Sequence, residues 1–361
     1  FTGCPGSICL DDGWNSETPD KESVRTETME FNTILIGLAG VIAAATPIVF
    51  ATIGETITEK AGITNLSVNG TIILTAMTGF AVATTTQNIL LGFLAGALVG
   101  GLIAGIVAFS SITLKQSQVA VGFVLTLMTR DLAYFLGNSF IGLSGPRVPP
   151  AFEIPLLSQI PVLGALLFKQ DILVYLSYIL IILTTIFLTK TRPGLILQGI
   201  GERPASAYIR GANVNKLRYI YTILGGAMVG LAGPMYSLSV KAGWKGTISG
   251  LDGIGWIVLA IVIFGGWSPL RGSLGAYLFA FLQWLGLVLQ TTLSAIPSQV
   301  LQVAPFPMMI LTLLLVNIGN TEWVERAIMG LPERVRPVIS KILRSMRSNP
   351  PAALGVPFEN E

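Results

Sequence analysis

The chain contains no histidine and few charged residues. Histidine is absent from all 361 residues, and only 11% of them are Asp, Glu, Lys or Arg. Without histidine, imidazole acid–base catalysis and the usual histidine-containing metal sites are excluded. Cys4 and Cys9 are too few for a disulfide framework or a zinc site, and we expect no bound metal. Because soluble domains carry about 25% charged residues, this composition indicates an integral membrane protein.

Motifs of known catalytic chemistry are also absent from the sequence. It holds no phosphate-binding loop, no serine-hydrolase elbow and no HExxH zinc motif. We also find no pair of acidic residues at helical spacing inside an apolar run, an arrangement typical of proton-coupled carriers. We therefore expect a chain that is not an enzyme, holds no cofactor and depends on a partner for energy.

Apolar runs recur from residue 33 onward. Crossing a bilayer core takes roughly 20 helical residues. The sequence thus predicts an all-α integral membrane protein, a polytopic bundle of about nine (eight to ten) transmembrane helices. Short runs are expected to be tilted, broken or re-entrant, and the proline-containing segment 154–168 to be a partly buried loop or short helix. The predicted spans are 33–53, 71–86, 89–110, 119–137, 172–189, 219–239, 253–267, 272–290 and 303–319.

The charges divide the chain into three parts. Residues 1–28 form a polar acidic head, either disordered or an extension upstream of a natural start at Met29, and 29–320 form the transmembrane domain. Residues 321–361 form a basic tail. With nine crossings, 15 of the 22 Lys and Arg fall on the face that carries the 190–218 loop, six on the other, and Arg130 lies inside a span. The positive-inside rule then places that loop and the C-terminus in the cytoplasm.

The 190–218 loop contains a predicted short helix. Pro204 suits a first helical position and Gly211 a position just past a helix end, which predicts a helix over residues 204–210. Such a helix on a cytoplasmic face is a docking surface, held through its ends and through Arg203 and Arg210. It favours a subunit driven by a partner.

A few polar residues lie in or beside the spans. Arg130 and Asp131 are adjacent within an apolar run, and a charge at mid-bilayer costs about 2.5–3.5 kcal/mol. Adjacent helical positions point about 100° apart, so we expect separate partners rather than a direct ion pair. The pair is either structural or part of a solute pathway. Asn65, Ser67 and Asn69 precede the second predicted span and either cap it or line a pathway.

Glycines and aromatic residues in the spans allow two interpretations each. Gly92, Gly96 and Gly100 repeat every four residues, which favours tight helix packing over a pore or hinge role. Aromatic residues such as Phe123 and Trp256 either stack on a flat solute or belong to the core and interface belt.

Four segments of the chain carry recognisable motifs: GETITEKAGITNLSVNG at 54–70, LILQGIGERPASAYIRG at 195–211, the glycines of 225–233, and 256–269. In this order they resemble segments of the permeases of nucleoside and simple-sugar ABC importers, a family with ribose-type members and more distant branched-chain amino acid permeases. The resemblance covers roughly residues 40–320. Asn69 stands where the family usually has Glu, and Arg203 where it usually has Asn.

The resemblance implies partners and roles. Permeases of this family form homo- or heterodimers, bind two cytoplasmic ABC ATPases that hold the ATP and Mg, and receive solute from an extracytoplasmic binding protein. The implied coupling segment, with Arg210 added from its charge, comprises Glu202, Arg203, Pro204, Ala205, Ala207, Arg210 and Gly211. The candidate pathway residues are Asn65, Ser67, Asn69, Phe123, Arg130, Asp131 and Trp256.

The expected function is that of a permease subunit in the plasma membrane of a prokaryote. It would take up a nucleoside or simple sugar by alternating access, driven by separate ATPase subunits, with no nucleic-acid partner. Two alternatives are a permease for branched-chain amino acids or another small polar solute, and an ion-coupled secondary carrier.

Overall fold

The structure is a computed structural model that describes residues 21–292 except 150–151, 154–156, 161 and 242, and beyond them residues 307, 310–311 and 350–358. Helices dominate this part of the chain. They are α1 Lys21–Lys60, α2 Val68–Thr86, α3 Ile89–Ala108, α4 Gln118–Gly137, α5 Leu163–Leu167, α6 Ile172–Lys190, α7 Arg192–Glu202, α8 Pro204–Ile209, α9 Val214–Met235, α10 Ile254–Phe264 and α11 Pro269–Thr292. Two-residue strands, β1 Phe152–Glu153 and β2 Lys169–Gln170, pair antiparallel.

Eight of the described helical segments are long and apolar enough to cross a membrane. This confirms the predicted all-α polytopic bundle. The ninth predicted span, 303–319, lies outside the described residues except for three isolated positions. The short helix α5 falls within the proline-containing segment, as predicted. The predicted division into head, membrane domain and tail stays a prediction.

The first span is longer than the sequence indicated. Helix α1 continues to Lys60, so Glu55 and Glu59 lie four residues apart inside the span, with 0% and 2% of their surfaces exposed. The expectation that no acidic pair at helical spacing lies within a span was therefore wrong. Both carboxylates are hydrogen-bonded within the bundle. Glu55 accepts bonds from the backbone N and Nδ2 of Asn65, and Glu59 accepts one from Nε1 of Trp267.

Helices α3 and α9 meet along a row of glycines. Gly92, Gly96 and Gly100 are buried. A Cβ added to Gly100 would lie 2.4 Å from the carbonyl oxygen of Gly226, and one added to Gly96 would lie 2.7 Å from that of Gly230. Only residues without a side chain allow the two backbones to approach so closely. The packing interpretation of these glycines is confirmed.

Helix α2 is the most deeply buried span, and it begins inside the bundle. Between α1 and α2, residues 61–67 run back alongside α4. The backbone N of Thr64 donates to Oε1 of Gln118 at the start of α4, and the carbonyl of Leu66 accepts from Oγ1 of Thr126 near its middle. The first turn of α2 therefore lies level with the centre of α4.

Helix α10 begins at the same place and runs the other way. A Cβ on Gly255 would lie 2.1 Å from Cα of Asn69, so the first turns of α10 and α2 touch. From there α2 runs toward Gly137 at the end of α4, whereas α10 ends near Glu59 at the end of α1. One end of the bundle holds the end of α1 together with α7 and α8, and we call it the loop end. Helices α2 and α10 thus lead in opposite directions from one point within the bundle.

Candidate functional site

Asn69 joins the beginnings of α2 and α10. Its Oδ1 accepts hydrogen bonds from the backbone N of Gly253 at 2.9 Å and of Gly255 at 3.1 Å, and its Nδ2 donates to Oδ1 of Asp252 at 2.8 Å. Gly253, at the N-cap of α10 with φ +97°, has no side chain to cap the helix. Asn69 therefore caps α10 from another helix, satisfying N–H groups that a helix start leaves unpaired.

Asp252 continues the cluster to α4. Its Oδ2 lies 3.6 Å from Nη1 of Arg130, and Nε of Arg130 lies 3.0 Å from Oδ1 of Asp131. The expectation that Arg130 and Asp131 would not pair directly was wrong. The arginine side chain is long and flexible enough to bend toward its neighbour. Both side chains are partly exposed, 32% for Arg130 and 66% for Asp131. The expected separate partner of Arg130 is present as well, in Asp252.

Two aromatic rings lie on the same side of the bundle. The rings of Phe123 on α4 and Trp256 on α10 are 6.2 Å apart at 43°, within the range of favourable aromatic pairs. Phe123 is 49% exposed and Trp256 37% exposed. Together with the charged cluster they make a surface that we call the α4–α10 face, defined by Phe123, Arg130, Asp131, Asp252 and Trp256.

Asn65 and Ser67 are placed differently. Both are buried, 1% and 0% exposed, in the segment that leads into α2. Ser67 occupies the N-cap position of α2, but its side chain makes no capping bond. Instead Oδ1 of Asn65 accepts from the backbone N and Oγ of Ser67, and Asn65 also bonds Glu55. These two residues fix the backbone that positions Asn69.

Sequence reasoning missed Asp252. Five of the seven predicted pathway residues lie on the α4–α10 face or contact it, and Asp252 is the group that connects Asn69 to Arg130. A signal was present, since Asp252 is a carboxylate between glycines just before a short apolar run. The sequence did not indicate its partners.

The loop end carries the predicted short helix. Helix α8 covers Pro204–Ile209 with Pro204 in its first turn, and Gly211 follows its end at φ +88°, which confirms the helix. The backbone N of Gly211 donates to the carbonyl of Tyr208 at 2.8 Å. Positive φ is a conformation that glycine adopts without strain. Helix α7, Arg192–Glu202, was not predicted; Thr191 caps it by accepting from the backbone N of Gly194.

The surface of α7 and α8 is concave and exposed. A depression of about 580 Å³ lies between the two helices, and Pro204 and Ala205 lie beside it in the first turn of α8. Ile209 on α8 is 85% exposed. The predicted coupling residues that line the depression are Glu202, Arg203, Ala207, Arg210 and Gly211.

A family model described as "Branched-chain amino acid transport system / permease component" matches residues 37–318. The chain belongs to this family. It is an ABC transporter permease subunit, a component of a transporter and a multi-pass membrane protein, as the sequence resemblance implied. No solved structure matches it.

Three relatives share most of the permease's length. A putative glucose ABC transporter permease of Haloferax volcanii is 34% identical over 255 residues, 69% of this chain and 76% of the relative. A nucleoside ABC transporter permease of Lactococcus lactis subsp. cremoris is 32% identical over 296 residues, 79% and 93% of the two chains. A guanosine ABC transporter permease of Bacillus subtilis is 31% identical over 286 residues, 74% and 88%.

Proposed function

We propose that this permease takes up a nucleoside or a simple sugar, and that the solute passes along the α4–α10 face between two permease subunits. The observation that carries this is the position of Arg130, Asp131 and Asp252. Arg130 and Asp131 are partly exposed near the middle of α4, and Asp252 lies beside Arg130 at the same depth, where facing lipid would cost about 2.5–3.5 kcal/mol per charge. Water or a second subunit must therefore cover this face.

The chemistry of the face suits a polar solute with a flat surface. Carboxylate and guanidinium groups form charge-assisted hydrogen bonds with hydroxyl groups and ring nitrogens. The rings of Phe123 and Trp256 offer apolar surface to a base or to the C–H face of a sugar. Relatives named for nucleoside, guanosine and glucose transport support this class of solute.

The broken geometry of α2 and α10 fits alternating access. Helix ends that meet inside a bundle are common at transporter binding sites, because helix ends bring polar backbone groups to the place where a solute is held. Since α2 and α10 lead from Asn69 to opposite ends of the bundle, a shift of either helix changes access from one end only. Such a shift needs different contacts in two states, and we infer that a partner ATPase supplies them.

Helix α8 is the proposed docking site for that ATPase. The exposed Ile209 and the depression beside Arg203 and Arg210 offer apolar and charged contacts to a partner. The loop end would then be cytoplasmic, in agreement with the Lys and Arg distribution. The opposite end would receive solute from an extracytoplasmic binding protein.

Charge reversal on α8 tests the proposal. We expect the double variant Arg203→Glu with Arg210→Glu to insert normally into membranes but to retain the ATPase at least about tenfold more weakly in a pull-down, because charge-assisted contacts contribute roughly 1.5–3 kcal/mol each. ATP-dependent uptake into proteoliposomes holding the permease, its ATPase and its binding protein should fall with it. Lys216→Glu, an exposed cation outside the depression, is the control.

Competition identifies the solute in the same assay. We expect unlabelled adenosine, guanosine or ribose to compete and leucine not to compete. Unchanged ATPase retention by the double variant would contradict the docking role of α8. Uptake that requires a proton gradient but not ATP would contradict the whole proposal.

A further inference from the structure

Residues 350–358, which we call the C-terminal clasp, lie against three separate elements at the loop end. The backbone N of Ala353 donates to the carbonyl of Gly201 on α7 at 2.8 Å, and that of Gly355 donates to the carbonyl of Gly62, just after α1, at 3.0 Å. The carbonyl of Val356 accepts from Nη1 of Arg218 on α9 at 2.8 Å. The clasp thus bridges α7, α9 and the segment that leads into α2.

Arg218 is the centre of this contact. Its side chain is among the largest fully buried ones, with 1% exposed. Among the described residues, its guanidinium donates to two clasp carbonyls, from Nη1 to Val356 and from Nη2 to Ala353 at 3.5 Å. Its Nε has no hydrogen-bond acceptor among these residues. A buried guanidinium is costly unless its N–H groups are hydrogen-bonded. The clasp therefore supplies bonds that this buried cation needs.

The contact also constrains the backbone at Gly62. This residue has φ +92°, and an added Cβ would lie 2.8 Å from Nη2 of Arg218 and 3.2 Å from the carbonyl oxygen of Ala353. A glycine is required there on both grounds, conformation and space. Arg218, the clasp and Gly62 are consequently packed as one unit.

The clasp reaches the coupling segment as well. The backbone N of Ala352 donates to Oε2 of Glu202 at 3.3 Å, and the ring of Phe358 lies 5.8 Å from that of Tyr208 on α8. On its other side, three residues after Gly62, Asn65 bonds Glu55 and Ser67 at the start of α2. A continuous set of contacts therefore runs from α8 through the clasp to the first turn of α2.

We propose that the C-terminal clasp couples α8 to α2, with Arg218 as its positioning residue. This rests on the proposed function, in which the ATPase moves α8. When α8 is displaced, the clasp pulls on residues 61–67 and thereby on Asn69. The covalent path from α8 to α2 offers no comparably short connection, since the two are more than one hundred residues apart.

The test compares uptake with ATP hydrolysis in the reconstituted transporter. Two variants break the contact: deletion of residues 350–361, and Arg218→Met. Lys216→Met is the matched control, because it removes an exposed cation two residues away on the same helix. We expect solute taken up per ATP hydrolysed to fall at least about fivefold in both variants, the lower end of ordinary coupling between sites, and to be unchanged in the control.

A peptide with the sequence of residues 350–361, added to the deletion variant, should restore part of the coupling. It also guards against a variant that merely fails to fold. If uptake and ATP hydrolysis fall in proportion, the clasp stabilises the fold without coupling, and the proposal is overturned. It is equally overturned if both variants behave like the wild type.

Hydrogen exchange of the full chain in detergent gives a readout that needs no partner. We expect the amides of residues 62–67 to exchange faster in Arg218→Met than in Lys216→Met, whereas the amides of α3 should be unaffected in both. Equal exchange at residues 62–67 would overturn the proposal. If wild-type proteoliposomes show no ATP-dependent uptake, the proposed function is wrong, and the coupling role that rests on it is wrong too. Hydrogen exchange then reports only whether the clasp holds residues 61–67 in place.

Discussion

Helices α3 and α4 are consecutive, equally long and similarly exposed, yet their outer surfaces differ. The exposed large residues of α3 are all apolar, among them Leu94, Leu98 and Leu102, and its inner side is the glycine row against α9. The exposed surface of α4 also carries large apolar residues, but Arg130 and Asp131 lie among them.

The difference separates a surface suited to lipid from one that is not. Apolar side chains are at no disadvantage against lipid tails, whereas a charge in the same place is expensive. Helix α3 is complete as a membrane helix within one subunit. The charged side chains of α4, by contrast, need water or a partner to cover them, which is why the α4–α10 face suits the proposed solute pathway.

The largest expected effect comes from removing Asn69, which joins the start of α2 to the start of α10 beside the α4–α10 face. In Asn69→Leu, the backbone N–H groups of the buried Gly255 and the part-buried Gly253 lose their acceptor, and an unsatisfied buried donor costs about 1–3 kcal/mol. We expect a lower melting temperature in detergent and loss of uptake.

The double variant Asn69→Asp with Asp252→Asn, which swaps the two side chains, is the control for Asn69→Leu. It keeps an acceptor for both amides and a donor between the two side chains. We expect most of the stability to return. If Asn69→Leu melted at the wild-type temperature, α10 would not depend on this cap.

A smaller effect is expected from the α3–α9 side of the comparison. In Gly230→Ala, the new Cβ would lie 2.3 Å from the carbonyl oxygen of Gly96, and the resulting overpacking should destabilise the fold by about 1–3 kcal/mol. In Gly101→Ala the nearest atom is 3.6 Å away, which is ordinary contact. Thermal unfolding of the two variants in detergent should therefore differ. Equal melting temperatures would show that the glycine row is not tightly closed.

The smallest effect sharpens the role of the aromatic pair. Phe123→Ala removes one ring of a pair, a contact that typically contributes about 0.5–1.5 kcal/mol. We expect the KM of uptake to rise about two- to tenfold with little change in stability. Phe135→Ala, on the same helix and 79% exposed, should leave KM unchanged. Equal KM changes in the two variants would place the pathway elsewhere.

Local signals in the sequence predicted the elements well. Apolar runs marked the eight described spans, and Pro204 and Gly211 marked the bounds of α8, because hydrophobic length and the special backbone of proline and glycine act over a few residues. The spacing of Gly92, Gly96 and Gly100 also predicted a packing face correctly.

The errors have a common physical origin. The predicted first span ends at residue 53, ahead of Glu55 and Glu59, although Asn65 and Trp267 donate hydrogen bonds to these carboxylates inside the bundle. A carboxylate is excluded from a span only while it lacks hydrogen-bond partners, and partners from other segments are invisible in a local pattern.

The sequence by itself determined that this is a helical membrane protein, where its spans and short helix lie, and, through its resemblance, that it is an ABC permease. The tertiary structure alone decided that Asn69 caps α10, that Asp252 links Asn69 to Arg130, and that the C-terminal clasp closes over Arg218. Asn69 and Asp252 are 183 positions apart. Hydrophobicity and turn chemistry are properties of neighbours in the chain, whereas a hydrogen bond across the bundle exists only once the helices are packed.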